Sequence, residues 1–280
     1  MKFIHQNAEC EYNVENETLY YFRGCGIGSN INVILNLLLN LNLKNIYPKK
    51  IVTKLENFKN MDGFKFFNTN LNRYDEWKDY NKIEISNAIN RLQPNETHSL
   101  GYNRDHVDFK IIKLLLDIYF NLSNEVLKES ENIKNKYNLK DYNFIYLRKT
   151  DKVREVHGDY PTVDDALKLI DNNFTTVAQT DDLNVFNQFK QYNQITQLNE
   201  LPLTEGIGFH DLSMRMSNEE FVERYKFEYE KYLLKLLSVV HLASKSVKFV
   251  GGPGNLSLFT IFLRNSFNNA YFMVSKNKFY

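Results

Sequence analysis

The chain has 280 residues, 43% of them hydrophobic and 14% aromatic, which is enough to bury one large core or two modest ones. With 35 Lys and Arg against 34 Asp and Glu there is no global field to draw the chain to nucleic acid or a membrane surface, so a charged site must be local. The start of the chain lacks the apolar core of a signal peptide, and the runs Ile31 to Leu43 and Ile111 to Phe120 fall short of the roughly 20 apolar residues of a membrane span. Cys10 and Cys25 read as free thiols of a reducing compartment, so the expectation is a cytoplasmic protein without a transmembrane segment.

In chain order, Leu19 to Phe22 predicts a strand and Arg23 to Asn30 a tight glycine loop. The spacing of Ile31, Ile34, Leu35, Leu38 and Leu41 predicts a helix with Asn32, Asn36, Asn40 and Asn42 over much of its remaining surface. A second strand is expected near Lys50 to Thr53. The aromatic-rich segment 57–90, with the only tryptophan, Trp77, reads as loops or covering structure. A loop over 94–105 precedes helices over Val107 to Phe120 and Asn124 to Tyr137, and a domain boundary is expected in 121–142.

The stretch Asn143 to Val153 drives an apolar run straight into charge. A buried parallel strand over Phe144 to Leu147 would deliver Arg148, Lys149, Asp151 and Lys152 to the carboxyl edge of a sheet, where open α/β folds place ligands. An anionic ligand, phosphate first, competes there with a solvated charged loop carrying a surface ion pair. Further on, a helix over Val163 to Ile170, a strand over Thr175 to Gln179 ending in Asp181 and Asp182, a helix over Leu183 to Phe189 and a short strand over Ile195 to Leu198 are expected. One long helix over Asn218 to Ala243, a strand over Val247 to Val250, the loop Gly251 to Asn255 and a helix over Leu256 to Leu263 follow. This alternation predicts an α/β fold with parallel sheets in both halves.

Two loops at strand ends, Gly24 to Asn30 and Gly251 to Asn255, are rich in glycine and open helices, whose first-turn amides can bind phosphate oxygens. The first departs from the dinucleotide fingerprint, and the second lacks the Gly-Lys-Ser/Thr ending of a P-loop. Asp181 and Asp182 lack the spacer of an Asp-x-Asp metal pair, and helix capping is their plain structural reading.

Three ordered motifs, Gly24 to Gly28, Tyr146 to Val153 and Leu242 to Leu256, with Asp181-Asp182 between the last two, resemble the fucosyltransferase superfamily. That superfamily includes the α1,6-fucosyltransferases, the Nod-factor fucosyltransferases and, more distantly, the α1,2 and protein O-fucosyltransferases. The resemblance implies a GT-B-like fold of two Rossmann-like domains with parallel sheets facing across a cleft. Residues 1–125 would form the acceptor-side domain and 126–280 the nucleotide-sugar donor domain. It implies an inverting, metal-independent transfer of fucose from GDP-fucose to a glycan hydroxyl, with no cofactor. Arg148 would meet the β-phosphate; Gly26, Gly28, Tyr146, Lys149, Asp151, Asp181, Asp182, Ser238, Gly254 and Asn255 would bind the donor; and Lys152 and Glu155 would join Arg148 in catalysis.

The chain departs from the family pattern at defined places. Tyr146 replaces a His near the base, Ser238 an Asp that reads it, and Lys149 a second Arg, which keeps charge but loses the bidentate fork. Val156 stands where the family has an acid, so Glu155 is the first choice of base, with Asp159 and His157 behind it. Two alternatives follow: a GT-B enzyme with another nucleotide sugar, and a non-catalytic glycan- or nucleotide-binding module.

Overall fold

The computed structural model describes residues 1–23, 26–55, 61–62, 64–92, 108–149, 160–208, 216–225, 228–275 and 278–279. The chain divides into two compact units, Met1–Ser123 and Asn124–Tyr280.

The first unit is built on a five-stranded sheet of β1 (Lys2–His5), β2 (Ala8–Asn13), β3 (Thr18–Phe22), β4 (Lys50–Leu55) and β5 (Met61–Asp62), in that spatial order. Only β3 and β4 pair in parallel, joined across helix α1 (Ile27–Leu43); the other pairs are antiparallel. The parallel sheet expected in this half is therefore replaced by a mixed one. Consecutive hairpins contribute, β2 with β3 and, before it, β1 with β2, where His5 pairs with Ala8 around Gln6 and Asn7, which take φ of 47° and 62°. Two left-handed residues in a two-residue loop match the twist of the flanking strands.

Helix α1 also departs from expectation, since Asn32, Asn36 and Asn42 are buried rather than spread over an outer surface. The helix packs against a second helix, α3 (Lys82–Leu92), which follows the short α2 (Tyr74–Lys78) in the segment expected to be irregular. The buried amides then need partners within the protein. Asn42 Nδ2 donates to Trp77 O at 2.8 Å, Asn36 Oδ1 accepts from Gln6 Nε2 at 3.3 Å, and Asn30 Oδ1 accepts from Tyr21 Oη at 3.3 Å. Helix α4 (Phe109–Tyr119), capped by Asp108, and the small pair β6 (Phe67–Asn68) and β7 (Asn121–Leu122) complete the unit.

The second unit opens with α5 (Asn124–Lys136) and runs β8 (Tyr142–Leu147), α6 (Val163–Leu167), β9 (Thr175–Thr180), α7 (Leu183–Phe189) and β10 (Ile195–Gln197). It continues through α8 (Asn218–Tyr225), α9 (Tyr229–Lys245), β11 (Lys248–Gly251), α10 (Asn255–Arg264), β12 (Ala270–Ser275) and β13 (Lys278–Phe279). The expected single helix over Asn218 to Ala243 is two helices, the second starting after the extended residue Glu228. The spatial order is β10-β9-β8-β11-β12-β13, all parallel except β13.

Strand alternation sends side chains to two covered faces. Ile145, Leu147, Ala178 and Val250 meet Val163 and Ala166 of α6 and Val185 and Phe189 of α7 on one face. On the opposite side, α9 packs against α5 and α10, and Tyr142 Oη ties β8 to the carbonyl of Leu242 in α9 at 2.9 Å. Phe144, Phe249, Phe259 and Phe262 are fully buried, each contributing about 1.5–3 kcal/mol by removal from water.

Candidate functional site

Numbered by appearance in the second unit, the five parallel strands lie in the order third, second, first, fourth, fifth. The winding direction therefore reverses between β8 and β11. In doubly wound sheets the crevice at the carboxyl ends of the two strands flanking such a reversal is where ligands bind, because the outgoing loops part there. Three chain segments meet this edge: Arg148 and Lys149 after β8, Asp181 and Asp182 after β9, and Gly252 to Gly254 after β11.

Arg148 Nε donates to Asp181 Oδ2 at 3.0 Å, with the two side chains 17% and 11% exposed. Asp181 is itself held, because its carbonyl accepts from Thr204 N at 2.9 Å and from Thr204 Oγ1 at 3.1 Å. A guanidinium tied through Nε to a fixed carboxylate keeps its orientation without a ligand, which lowers the ordering cost of binding an anion. Asp182 has a different task. Its Oδ1 accepts from the amides of Asn184 and Val185 at 2.9 and 3.0 Å, so it is the N-cap of α7.

The glycines of the third segment have separate reasons. A Cβ on Gly251 would stand 2.7 Å from Ser257 Cβ and Oγ, so glycine lets α10 close onto the strand. Gly254 takes φ 156° and ψ 156°, a region reserved for glycine, and a Cβ there would meet nothing within 4 Å. Gly254 is also the N-cap of α10, which begins with no side-chain cap and no acidic residue in its first turn. That helix start combines unscreened peptide dipoles with open space above the residue that caps it. Asn255 is the first residue of α10.

The other expected residues fall in several places. Tyr146 lies on β8 opposite Gln179 on one side and Gly251 on the other, and is 5% exposed. Lys149 is partly buried two residues beyond β8. Ser238 sits away from the strand edge, inside the seam of α9 and α5. It is 0% exposed, and its Oγ lies 2.8 Å from Leu234 O and 3.1 Å from Val126 O, so its hydroxyl serves helix packing. In the first unit Gly26 caps α1 without a side-chain bond and Gly28 is buried in its first turn. Asp151, Lys152, Glu155, His157 and Asp159, like Gly24 and Cys25, lie outside the described residues.

Two residues at the edge were not singled out by sequence. Tyr160 Oη donates to the carbonyl of Arg148, and Gln179, 1% exposed, donates through Nε2 to Thr180 O at 2.7 Å. The signal for Tyr160 was its place just before Pro161 and the Thr162–Asp165 capping box. Gln179 lies in a strand whose only apolar residues are Val177 and Ala178, so nothing in the pattern set it apart.

Below the edge, Glu200 is buried and accepts from Lys136 Nζ and Lys235 Nζ, each at 2.6 Å, and Lys235 also pairs with Glu129. Burial works to raise the Glu200 carboxyl, and the two ammonium groups outweigh it, so its pKa lies below the usual glutamate value. This network joins α5, α9 and the chain after β10, and its charges are already matched.

Fold and edge together define the second unit as a doubly wound, Rossmann-like α/β domain with a fixed guanidinium and a glycine-opened helix at its switch point. Among solved structures, the chain is similar to NodZ alpha-1,6-fucosyltransferase soaked with GDP-fucose, at 10% identity over 87% of this chain and 91% of that one, with a TM-score of 0.49. It is similar to the same enzyme co-crystallised with GDP at 10% identity over 88% and 90%, TM-score 0.48, and to POFUT1 in its apo form at 9% identity over 94% and 99%, TM-score 0.46. No protein-family model and no curated protein matches the chain.

Proposed function

We propose that the chain is a GT-B-type glycosyltransferase that transfers fucose from GDP-fucose to a glycan hydroxyl, with inversion and without a metal. The observation that carries this reading is Arg148 held by Asp181 at the switch point beside the start of α10. The donor's identity comes from the Tyr146 to Val153 motif.

In this reading the diphosphate of the donor lies against Arg148 and the first turn of α10. The bond between the anomeric carbon and the β-phosphate oxygen breaks, the acceptor oxygen forms the new bond from the opposite face, and the acceptor proton passes to a base, Glu155 first. Negative charge collects on the departing GDP. A preorganised guanidinium and backbone amides stabilise that charge most where it is greatest, which lowers the barrier.

A second reading, a different nucleotide sugar, is favoured by Ser238: the position that carries the base-reading acid in the family offers a hydroxyl withdrawn into a helix seam. Calorimetric titration with GDP, GDP-fucose and a panel of other sugar nucleotides, with and without divalent metal, separates the readings. Binding of GDP and turnover of GDP-fucose support the first. Binding confined to another nucleotide selects the second, and failure of every nucleotide to bind the folded protein removes both.

A further inference from the structure

We infer that Tyr160 is a positioning residue that aims Arg148 at an anionic diphosphate, an inference that rests on the donor site proposed above. Tyr160 Oη donates to the carbonyl of Arg148, twelve residues away in sequence. The same oxygen would stand 3.0 Å from a Cβ on Gly252, whose amide donates to Tyr146 O at 2.8 Å. One hydroxyl thus sits where the chain leaving β8 and the chain leaving β11 come together, on the two sides of the switch point.

The local sequence makes that hydroxyl a fixed point. Pro161 restrains Tyr160 to extended backbone. Thr162 then caps α6 through a reciprocal box with Asp165, and Val163 and Ala166 of that helix are buried in the same cluster as Ile145 and Leu147 of β8. Tyr160 itself is 7% exposed. The ring is therefore delivered by an element packed on the very strand that Arg148 terminates. Asp181 orients the guanidinium at its Nε, and Tyr160 fixes the main chain from which that side chain springs. Without the hydroxyl, the first residue beyond β8 loses its anchor, and a rotation about its backbone displaces the guanidinium several bonds away.

The test is a double-mutant cycle on the full chain, using Y160F and R148A, with affinity read for inorganic pyrophosphate and for GDP and thermal unfolding as a control. Removing one hydroxyl from a backbone carbonyl is expected to weaken both ligands about tenfold. Acting through Arg148, it should cost less than about twofold once Arg148 is gone, because coupled residues are non-additive. A role in folding alone would leave the two losses additive or leave affinity unchanged, and either result overturns the inference. Wild-type protein that binds pyrophosphate but not GDP removes the donor reading while the pyrophosphate cycle still decides Tyr160. Wild-type protein that binds neither removes both. Should Y160F not fold, G252A keeps the ring and crowds its oxygen, and the same cycle with R148A is expected to give the same non-additivity.

Discussion

Arg148 Nε lies 3.0 Å from Asp181 Oδ2, joining the residue just past β8 to the residue just past β9 in the neighbouring strand. The pair is partly buried, so neither charge is fully screened by water, and each fixes the other. Removing the cation is expected to abolish transfer and to weaken GDP by about 2 kcal/mol, or roughly 30-fold, the value of a hydrogen bond to a charged group. R148K should recover part of the affinity, since it restores charge without the planar fork. D181N leaves the cation but loosens it, and should weaken GDP about tenfold. Titration calorimetry on the three variants checks the ranking; equal affinities would remove the assignment.

The glycines make a different prediction. G251A would place a methyl 2.7 Å from Ser257 and 2.8 Å from Phe249 Cε1, so strand and helix must part. Such overpacking costs about 1–3 kcal/mol and should displace the start of α10. S257G removes the opposing Cβ, and G251A/S257G should regain stability relative to G251A alone despite the propensity cost of a helical glycine. G254A meets no atom, so its cost is backbone strain of about 1–3 kcal/mol, which S257G should not relieve. Urea unfolding of G251A, S257G, G251A/S257G, G254A and G254A/S257G distinguishes crowding from strain.

Much of the second unit was legible because its strands are short apolar runs ending in charge or glycine, and its helices begin at recognisable caps. Tyr142–Leu147, Thr175–Thr180 and Leu183–Phe189 fall within a residue or two of expectation. The first unit was less legible because its deciding features are not periodic. Gln6 and Asn7 turn a hairpin without the Asn-Gly signal, and the asparagines of α1 look like a solvated face, although the fold buries Asn32, Asn36 and Asn42. At the site, sequence could place Arg148 and Gly254 at strand ends. It could not divide Asp181 from Asp182, because an acid at a strand end and an acid capping the next helix are spelled alike. Nor could it see Ser238 turn toward Val126, a contact between positions 112 residues apart.

The charge network at Glu200 contributes a pH dependence to the second unit at both acid and alkaline pH. The Glu200 carboxyl is depressed, so its contribution is present above the unfolded value of about 4.3 and is lost as pH falls through the folded value. Hydrogen bonding to Glu200 raises Lys136. For Lys235, burial works to lower the ammonium, but the hydrogen bonds it donates to Glu129 and Glu200 outweigh it and the pKa rises. Their contribution is complete below about 10.4, the ordinary lysine value, and disappears as pH climbs through the folded values. E200Q should cost about 1–2 kcal/mol at neutral pH and make unfolding less steep below pH 4.3. Chemical denaturation across about pH 3 to 7 reads both effects.

His241 gives a pH dependence in a separate range. It lies on α9 with Nδ1 2.9 Å from Ser130 Oγ of α5; burial pushes its pKa down to about 4, Lys245 adds to that, and Glu131 opposes it. The folded protein thus keeps the ring neutral while the unfolded chain takes a proton near 6.5. Between those values the unfolded state binds more protons, so stability must fall as pH drops from about 6.5 to about 4, and this group takes nothing further below that. The ring is only partly buried, so solvent screening reduces the loss to on the order of 2 kcal/mol. H241N retains a polar partner for Ser130 and cannot titrate, so its stability should fall less steeply than wild type over that interval, leaving the part due to His5, whose imidazole is also lowered by burial. The His241 C2 proton should titrate below pH 5 by NMR, and a midpoint near 6.5 would contradict the burial of this ring against α5.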